Sequence, residues 1–406
     1  MNIDKFKTVT QFSGNDCLPN EGIWIGRAWL SASIAFKGIA GPHVIVVKDG
    51  EVFDLSERYL TVSELLAAED PIAAIQSATR RSLGALEEIL SDSLFHRVGT
   101  SAEKGNKIHV LSPTDLAAVK ACGVTFVRSL LERVIEERAR GDRGKADELR
   151  ALILDSLGGS LKDISPGSER AMALKARLQA EGVWSQYLEV GIGPNAEVFT
   201  KNQPTAAVGF GAQVGVLADS AWNNPEPEIV LAVSPKGKIH GAALGNDVNL
   251  RDYEGRSALL LGEAKDQNGS CAIGPFIRLF DESFTIEDVE QAEVSLHIVG
   301  EDGFELADKS RMTEISRTPE SLVAQAFGPN HQYPDGFMLF LGTMFAPSKD
   351  RGVPGAGFTH HVGDRVEISS PRLGKLVNWV NHCDQIPPWT FGLRSYVDLA
   401  RQRALA

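Results

Sequence analysis

Two glutamates stand one residue apart in the segment PEPEIVLAV. Because side chains alternate across a strand, Glu226 and Glu228 point to one side, while Ile229, Leu231 and Val233 point to the other. Two like charges at the mouth of a buried strand are unfavourable unless a cation or a shared proton compensates them. The pair therefore fits either a cation site or an exposed strand edge whose charges discourage aggregation.

A third acid and a lysine follow on the next elements of the chain. Asp247 lies in GNDVNLRDYEGRS, and Lys265 lies in AKDQNGSCAIGPF. Carboxylate oxygens are the ligands that suit a hard divalent cation such as Mg²⁺, which keeps several waters that a chelating substrate can replace. The complete set of acids therefore favours a metal site over a guarded strand edge.

The whole pattern resembles the fumarylacetoacetate hydrolase family. The shared features are E-x-E on a strand, an aspartate in N-D-x-x-x-R-D, a lysine, G-P-F, and later G-T followed by G-D-x-V-E. The resemblance covers roughly 190–385 and implies a distorted β-roll that assembles as dimers. It also implies that Glu226, Glu228 and Asp247 hold Mg²⁺ or Mn²⁺, which chelates a 2-oxo acid. Lys265 would lie beside them, pairing with the acids or stabilising an oxyanion.

Three further residues are candidate substrate contacts. Thr343, in LFLGTMF, matches the family's G-T position, where a threonine contacts the substrate carboxylate; taken alone, it is a hydroxyl that ends a strand. Lys201, in EVFTKNQP, matches a lysine near the family's site, or is an exposed charge at a strand end. Arg251 could bind a carboxylate bidentately, or pair with Asp252 or Glu254 as part of the scaffold.

The hydrolytic members of the family carry a histidine, paired with an acid, ahead of the metal strand. The upstream histidines here are His43, His96 and His109, and none of them begins an H-x-x-E helix. The segment ahead of the strand is instead ACGVTFVRSLLERVIEERARG, whose GVTFVRS resembles the G-V-T-Y-x-x-S segment of the family's sugar-acid dehydratases. This difference favours the dehydratase branch over the hydrolases.

The same segment offers candidate pocket groups. At helical spacing Thr125, Ser129, Glu132 and Glu136 share one face, opposite an apolar face. Such a stripe is suited to a pocket wall, and any amphipathic helix shows it as well. We expect Thr125 and Ser129 to bind substrate, and Glu132 or Glu136 to act with Lys265 in catalysis.

The stretch from EVFTKNQP to GPFIRLF resembles the family's 2-keto-3-deoxy-pentonate dehydratases. This resemblance implies Mg²⁺-dependent dehydration of a 2-keto-3-deoxy-D-pentonate, derived from D-xylonate or D-arabinonate, to 2-oxoglutarate semialdehyde in pentose catabolism. Two alternatives stay open. One is a hydrolase that cleaves the carbon–carbon bond of an acylpyruvate or fumarylacetoacetate, and the other is a non-catalytic sugar-acid or metal-binding protein on the same scaffold.

The strands and helices that must position these residues predict an α+β fold with a smaller β-rich N-terminal domain and a C-terminal domain of strands. The family resemblance implies that this C-terminal domain is a mixed β-roll. Strands and turns fill 20–60, and a helical pattern runs from Thr61 to about Ile89, with Asp70 and Pro71 as N-cap and first helical residue. Short strands resume after Gly193 and end before a helical tail. We expect an N-terminal α+β domain at 1–112, a helical connecting and pocket-wall segment at 113–192, and the catalytic domain at 193–406.

Composition narrows the classes of partner. The 406 residues are 43% hydrophobic and 23% charged, which is ordinary for a globular protein. A formal net charge of -12 argues against nucleic acid or an anionic membrane as the main partner, since both need a basic surface. Four scattered cysteines and the absence of a long apolar run predict a cytoplasmic protein. The family resemblance implies a homodimer or a dimer of dimers that binds a small 2-oxo sugar acid.

Overall fold

The computed structural model describes residues 17–19, 21–98, 108–126, 130, 164–182, 184–345, 347, 349–352 and 357–406. Within these ranges, mixed β-sheets form the centre of the molecule and short helices pack around them, as an α+β fold requires. The strands, in chain order, are β1 (Trp24–Leu30), β2 (Gly41–Lys48), β3 (Glu51–Asp54), β4 (Arg81–Ala85), β5 (His109–Leu111), β6 (Ala118–Gly123), β7 (Glu197–Asn202), β8 (Gln213–Val216), β9 (Asn223–Asn224), β10 (Pro227–Val233), β11 (Ile239–Asp247), β12 (Asn249–Leu250), β13 (Cys271–Leu279), β14 (Glu293–Val299), β15 (Glu305–Arg311), β16 (Phe337–Phe340), β17 (Arg365–Ser370) and β18 (Gly374–His382).

One large sheet runs through most of the molecule. Its strand order is β4-β3-β2-β1-β13-β11-β10-β16-β6-β7, and β5 also pairs with β1. Neighbours are antiparallel except β16 and β6, which are parallel. The N-terminal strands join the later ones where Trp24 of β1 pairs with Arg278 of β13. The sheet therefore crosses the expected boundaries at 112 and 192, and the domain division stays a prediction.

A second sheet packs against the middle of the first. Its order is β15-β14-β17-β18-β8, and β9 and β12 form a separate short pair. Strand β10 is buried on both faces: Ile229 and Leu231 lie in one apolar core with Leu296 of β14, while Val230 lies in another core with Val44 of β2. Such continuous burial is typical of a central strand that is covered on both sides.

The helices begin where the sequence supplies a cap. Asp70 accepts a hydrogen bond from the backbone amide of Ala73 at 3.0 Å, with Pro71 as the first helical residue, so the expected helix start is confirmed. The helical tail is also confirmed, at Leu393–Leu405. The remaining α-helices are Val62–Leu66, Pro71–Ser77, Leu86–Val98, Glu169–Ala180, Gln186–Ile192, Arg251–Glu254, Leu261–Lys265, Ile286–Glu290 and Pro319–Ala326.

The expected helical stretch from Thr61 to Ile89 was wrong in its middle. Residues Arg81–Ala85 form β4, which pairs with the edge strand β3 before the next helix begins at Leu86. Gly84 has a φ of 111°, a conformation that a helix cannot accommodate. The unpaired edge of β3 and this glycine together outweigh the local helical pattern.

No helix in the described part of the chain is both long and apolar enough to cross a membrane. The four cysteines, all of which are described, form no disulfide, as their scattered positions predict.

Candidate metal centre

The three acids come together because of the register between β10 and β11. Glu228 pairs with Gly245, and the backbone amide of Asp247 donates to the carbonyl oxygen of Glu226 at 3.0 Å. Directly opposed residues on antiparallel strands point to the same face, and so do residues two apart on one strand. Glu226, Glu228 and Asp247 therefore project from one face of the sheet at the ends of two neighbouring strands.

The carboxylates are close together and almost completely buried. Each acid offers an oxygen atom, and these atoms all lie within 4.8 Å of one another. Glu226, Glu228 and Asp247 are 1%, 0% and 1% exposed, respectively. Three carboxylates that are shielded from water at this separation repel one another strongly unless a positive charge lies nearby. The donor set is all oxygen and therefore fits Mg²⁺ or Mn²⁺.

Two buried lysines supply part of that positive charge. The Nζ atom of Lys265 lies 2.5 Å from Oε2 of Glu226 and 3.0 Å from Oδ2 of Asp247. Burial by itself lowers the pKa of Lys265, but Asp247 and Glu226 outweigh it, so its pKa lies above the ordinary value. Lys265 is therefore a fixed cation that bridges two of the acids.

Lys201 holds Asp247 from the other side. Its Nζ atom lies 2.8 Å from Oδ1 of Asp247 and donates to the carbonyl oxygens of Val248, at 3.1 Å, and of Lys265. With 0% of its surface exposed, this lysine is part of the interior rather than a charge at a strand end. The three acids and two lysines leave one net negative charge, which a divalent cation would reverse.

Glu228 is the acid with the least positive charge around it. Its carboxylate accepts hydrogen bonds from the backbone amide of Gly342 at 2.7 Å and from the hydroxyl of Thr343 at 3.3 Å. Burial, followed by the charges of Asp247 and Glu226, raises the pKa of Glu228 well above its ordinary value. A bound cation would act in the opposite direction and keep this carboxylate ionised.

The G-T pair is therefore part of the site through its glycine as well as its threonine. Gly342 has a φ of 105°, and a Cβ atom there would lie 1.9 Å from Oγ1 of Thr125. Only glycine can adopt this conformation and leave room for that hydroxyl. The backbone amide of Gly342 is in this way directed at Glu228.

Asn249 orders the acids from the turn that follows β11. It is fully buried, and its Nδ2 donates to Oε1 of Glu226 at 3.0 Å and to Oε2 of Glu254 at 2.6 Å. Sequence reasoning missed this residue, although it lies within the N-D-x-x-x-R-D turn. An amide that donates both its protons to carboxylates fixes one ligand and draws a further acid toward the site.

A small cavity of about 20 Å³ opens beside the acids. Glu226, Asp247, Lys265 and Thr343 line it, together with Glu197 of β7. Sequence reasoning also missed Glu197. Side chains two and four apart share a strand face, so the placement of Lys201 near the site already placed Phe199 and Glu197 on the same face. The remaining residues around this cavity are Cys122, Gly123, Val124, Phe199, Glu254 and Leu261.

Two expected substrate contacts have other partners. The hydroxyl of Thr125 donates to the carbonyl oxygen of Leu341 at 2.6 Å, which supports the backbone next to Gly342. The guanidinium of Arg251 lies over the ring of Trp222, 4.3 Å from its centroid. Their contact with substrate stays a prediction. Ser129, Glu132 and Glu136 lie outside the described residues, and no histidine lines the small cavity in the part of the chain that the structure describes.

A family model and two curated relatives match this chain. The family model described as "Fumarylacetoacetate (FAA) hydrolase C-terminal" matches residues 179–381, which is half of the chain. The chain is 28% identical over 267 residues to the probable 2-keto-3-deoxyxylonate dehydratase of Haloferax volcanii, covering 66% of this chain and 86% of the relative. It is 32% identical over 181 residues to 2-dehydro-3-deoxy-D-arabinonate dehydratase of Saccharolobus solfataricus, covering 45% and 57%.

Solved structures are similar in fold. The apo form of a 2-keto-3-deoxy-D-arabinonate dehydratase superposes with a TM-score of 0.60 at 20% identity, covering 89% of this chain and 99% of that one. The structure of a 2-keto-3-deoxy-D-arabinonate dehydratase with magnesium and 2,5-dioxopentanoate gives a TM-score of 0.58 at 20% identity, over 89% and 99%. At this identity the likeness establishes the fold.

Proposed function

The chain belongs to the fumarylacetoacetate hydrolase family, and we propose that it dehydrates a 2-keto-3-deoxy-D-pentonate to 2-oxoglutarate semialdehyde with the help of Mg²⁺. The observation that carries the proposal is the buried set of Glu226, Glu228 and Asp247, with two lysines beside it and an opening next to it. The names of the two curated relatives support the reaction class, and they cover both the D-xylonate and the D-arabinonate derived substrates.

In this proposal the three carboxylates hold the cation. Bound Mg²⁺ would chelate the C1 carboxylate and C2 carbonyl of the substrate, and would thereby make the C3 protons more acidic. Lys265 places a fixed positive charge next to the developing negative charge. Thr343 lies at the cavity wall, and its hydroxyl would turn from the 3.3 Å contact with Glu228 to donate to the substrate carboxylate.

The reaction then needs an acid–base group near C3 and C4. A carboxylate removes one C3 proton, and the C4 hydroxyl leaves with a proton as water. Return of a proton to C3 and loss of one from C5 give an enol, which relaxes to the aldehyde. Glu132 and Glu136 are the candidates from the sequence, and Glu197 is the candidate from the cavity lining. No step uses a water nucleophile, so no histidine is needed to activate one.

A substrate comparison tests the reaction class. The purified protein with Mg²⁺ is incubated separately with 2-keto-3-deoxy-D-xylonate, 2-keto-3-deoxy-D-arabinonate and an acylpyruvate. We expect semialdehyde from at least one of the two pentonates, measured with an NAD-dependent aldehyde dehydrogenase. Pyruvate from the acylpyruvate, with no semialdehyde from either pentonate, would refute the proposal and support the hydrolase alternative.

Single substitutions identify the base. Glu197→Gln, Glu132→Gln and Glu136→Gln are compared with Glu263→Gln, an exposed glutamate on the helix that carries Lys265. The variant that lacks the base should lose on the order of 10²-fold or more in kcat with KM little changed. Glu263→Gln should match the parent protein. If none of the three variants lost turnover, the assignment of a carboxylate base would be wrong.

A further inference from the structure

A second cavity lies away from the acids. Its volume is about 260 Å³, and it shares no lining residue with the small cavity beside the acids. Its walls come from the large sheet and from the segment that precedes the C-terminal helix, including Arg27, Trp29, His109, Ser112, Trp389 and Phe391. We propose that this cavity binds a small organic carboxylate with a flat apolar body.

Arg27 provides the anion-binding group. It is 5% exposed, and its guanidinium donates to the carbonyl oxygen of Ser112 at 2.8 Å and to the hydroxyl of Tyr396 at 2.6 Å. Among the described residues, no carboxylate lies within salt-bridge distance of Arg27. A buried guanidinium is unfavourable without a negative partner. Because both of its bonded partners are uncharged groups, an anion in the cavity would complete its environment.

The buried acid on the neighbouring segment does not fill this role. The carboxylate of Asp115 accepts hydrogen bonds from the backbone amides of Val62, Ser63 and Leu116, at 2.6, 3.1 and 2.8 Å. Both of its oxygens are therefore already bonded to backbone amides, two of them in the first turn of the helix Val62–Leu66. This leaves the cavity side of Arg27 for a ligand.

A buried hydroxyl supports the same conclusion independently. Ser112 is 1% exposed and lines the cavity, and its Oγ has no hydrogen-bond partner among the described residues. Native proteins rarely leave a buried hydroxyl without a partner. A carboxylate bound by Arg27 would offer a second oxygen as an acceptor near this hydroxyl.

The aromatic walls define the rest of the ligand. The rings of Trp29 and His109 stack with centroids 6.3 Å apart, and Phe391 meets Trp29 edge-on at 5.6 Å. Trp389 is fixed at the rim, because its indole N–H donates to the hydroxyl oxygen of Thr205 at 3.2 Å. Flat apolar walls around one cation select a flat apolar molecule with one negative charge.

Benzoate and benzamide form a matched pair of probes, since they have nearly the same shape and differ in charge. The full chain, freed of metal with a chelator, is titrated with each probe by calorimetry. We expect one benzoate per chain, with a dissociation constant on the order of 1 mM or below. Benzamide should bind at least tenfold more weakly. Equal affinities, or no saturable binding of benzoate, would overturn the proposal.

Variants then locate the site. Trp389→Leu changes a half-exposed rim residue and should weaken benzoate binding at least fivefold, whereas Trp184→Leu, a tryptophan outside the cavity, should not. Ser112→Ala should weaken binding severalfold without lowering the unfolding temperature, because it removes a hydroxyl that has no partner. Arg27→Met should abolish binding; if it does not fold, the other two variants decide.

Glu228→Gln separates the two cavities. Glu228 does not line the second cavity, so this variant should bind benzoate with the same affinity as the parent protein. Loss of benzoate binding in Glu228→Gln, or unchanged binding in both Trp389→Leu and Ser112→Ala, would place benzoate at another site and overturn the proposal.

Discussion

Two buried clusters of charged side chains, one around Asp364 and one around Glu228, differ in how many positively charged partners each carboxylate has. Around Asp364, both carboxylate oxygens are bonded by Arg351, at 2.6 and 2.8 Å, and Nδ1 of His360 lies 3.1 Å away. Around Glu228 the closest donors are a backbone amide and a hydroxyl. In the first cluster both oxygens of Asp364 have an arginine partner, and the same arginine also binds the partly exposed Asp302. The second cluster gathers three carboxylates against two lysines.

The pKa shifts of the two acids have opposite signs. Burial alone would raise the pKa of Asp364, but the hydrogen bonds from His360 and Arg351 outweigh it and hold that pKa below its usual range. For Glu228, burial and neighbouring carboxylates raise the pKa together. A satisfied buried acid stabilises the fold, whereas an unsatisfied one marks a place where a cation can be bound. A buried carboxylate is thus a structural group in one cluster and a proposed metal ligand in the other.

The largest expected effect is on turnover at the acid cluster. Glu226→Gln and Glu228→Gln should each lower kcat/KM by on the order of 10³-fold and abolish its dependence on Mg²⁺. In the absence of metal, the Glu228→Gln protein should be as stable as the parent or up to ~1 kcal/mol more stable, because a repelled buried charge is removed. Chemical unfolding and steady-state kinetics measure the two effects. A large loss of stability with unchanged turnover would show that these glutamates stabilise the fold and do not take part in catalysis.

The next effect is on stability at the Asp364 cluster. Asp364→Asn leaves Arg351 with only the partly exposed carboxylate of Asp302 as a negative partner, and should cost about 3 kcal/mol of unfolding free energy. The turnover of the folded fraction should keep its Mg²⁺ dependence. Urea unfolding followed by circular dichroism measures the loss. A variant as stable as the parent would show that Asp364 does not act as a structural acid.

Metal binding should distinguish the clusters in a third way. A ligand at 100 times its dissociation constant stabilises the folded state by about 2.7 kcal/mol. Mg²⁺ at that excess should therefore raise the unfolding temperature of the parent protein and of Asp364→Asn by similar amounts. It should leave Glu226→Gln unchanged. If Mg²⁺ stabilised Glu226→Gln as much as the parent, the cation would bind elsewhere.

Acid should remove part of the stability that Asp364 provides. Its pKa is lower in the folded than in the unfolded protein, so its contribution is complete above the ordinary carboxyl pKa of about 4. That contribution is lost as the pH falls through the lowered folded pKa. The difference in unfolding free energy between the parent and Asp364→Asn should accordingly shrink below about pH 4. A difference that stayed constant from pH 6 to pH 3 would contradict this assignment.

The smallest expected effect is at Thr343. Thr343→Val removes a hydroxyl that contributes about 1 kcal/mol, so kcat/KM should fall by about fivefold to tenfold. Thr343→Ser keeps the hydroxyl and should stay close to the parent. Equal losses in both variants would assign the effect to packing rather than to the hydroxyl.

Strand alternation placed Glu226 and Glu228 on one face, and the family resemblance implied that they hold a cation together with Asp247. The register between β10 and β11 brings the three carboxylates together. The helix start at Asp70 and Pro71 followed from a similarly local pattern.

Residues whose role depends on distant pairing could not be predicted in the same way. The family resemblance pointed to Lys201, but its burial depends on Asp247 and the carbonyl oxygens of Val248 and Lys265, which lie far along the chain. Glu197 reaches the cavity because β7 lies beside β6. Gly342 belongs to the site because its φ aims a backbone amide at Glu228, which no residue pattern specifies. The strand at Arg81–Ala85 formed because the edge of β3 was available. These features depend on tertiary contacts rather than on local preference.

The central claim is that Glu226, Glu228 and Asp247 together hold a divalent cation. The most direct test is a crystal structure with Mn²⁺ and a 2-oxo acid, in which anomalous scattering locates the metal. We expect one peak about 2.1 Å from an oxygen atom of each of the three carboxylates, with the 2-oxo acid completing the coordination. An anomalous map with no peak at this position, or with the Mn²⁺ peak at a different site, would contradict this claim.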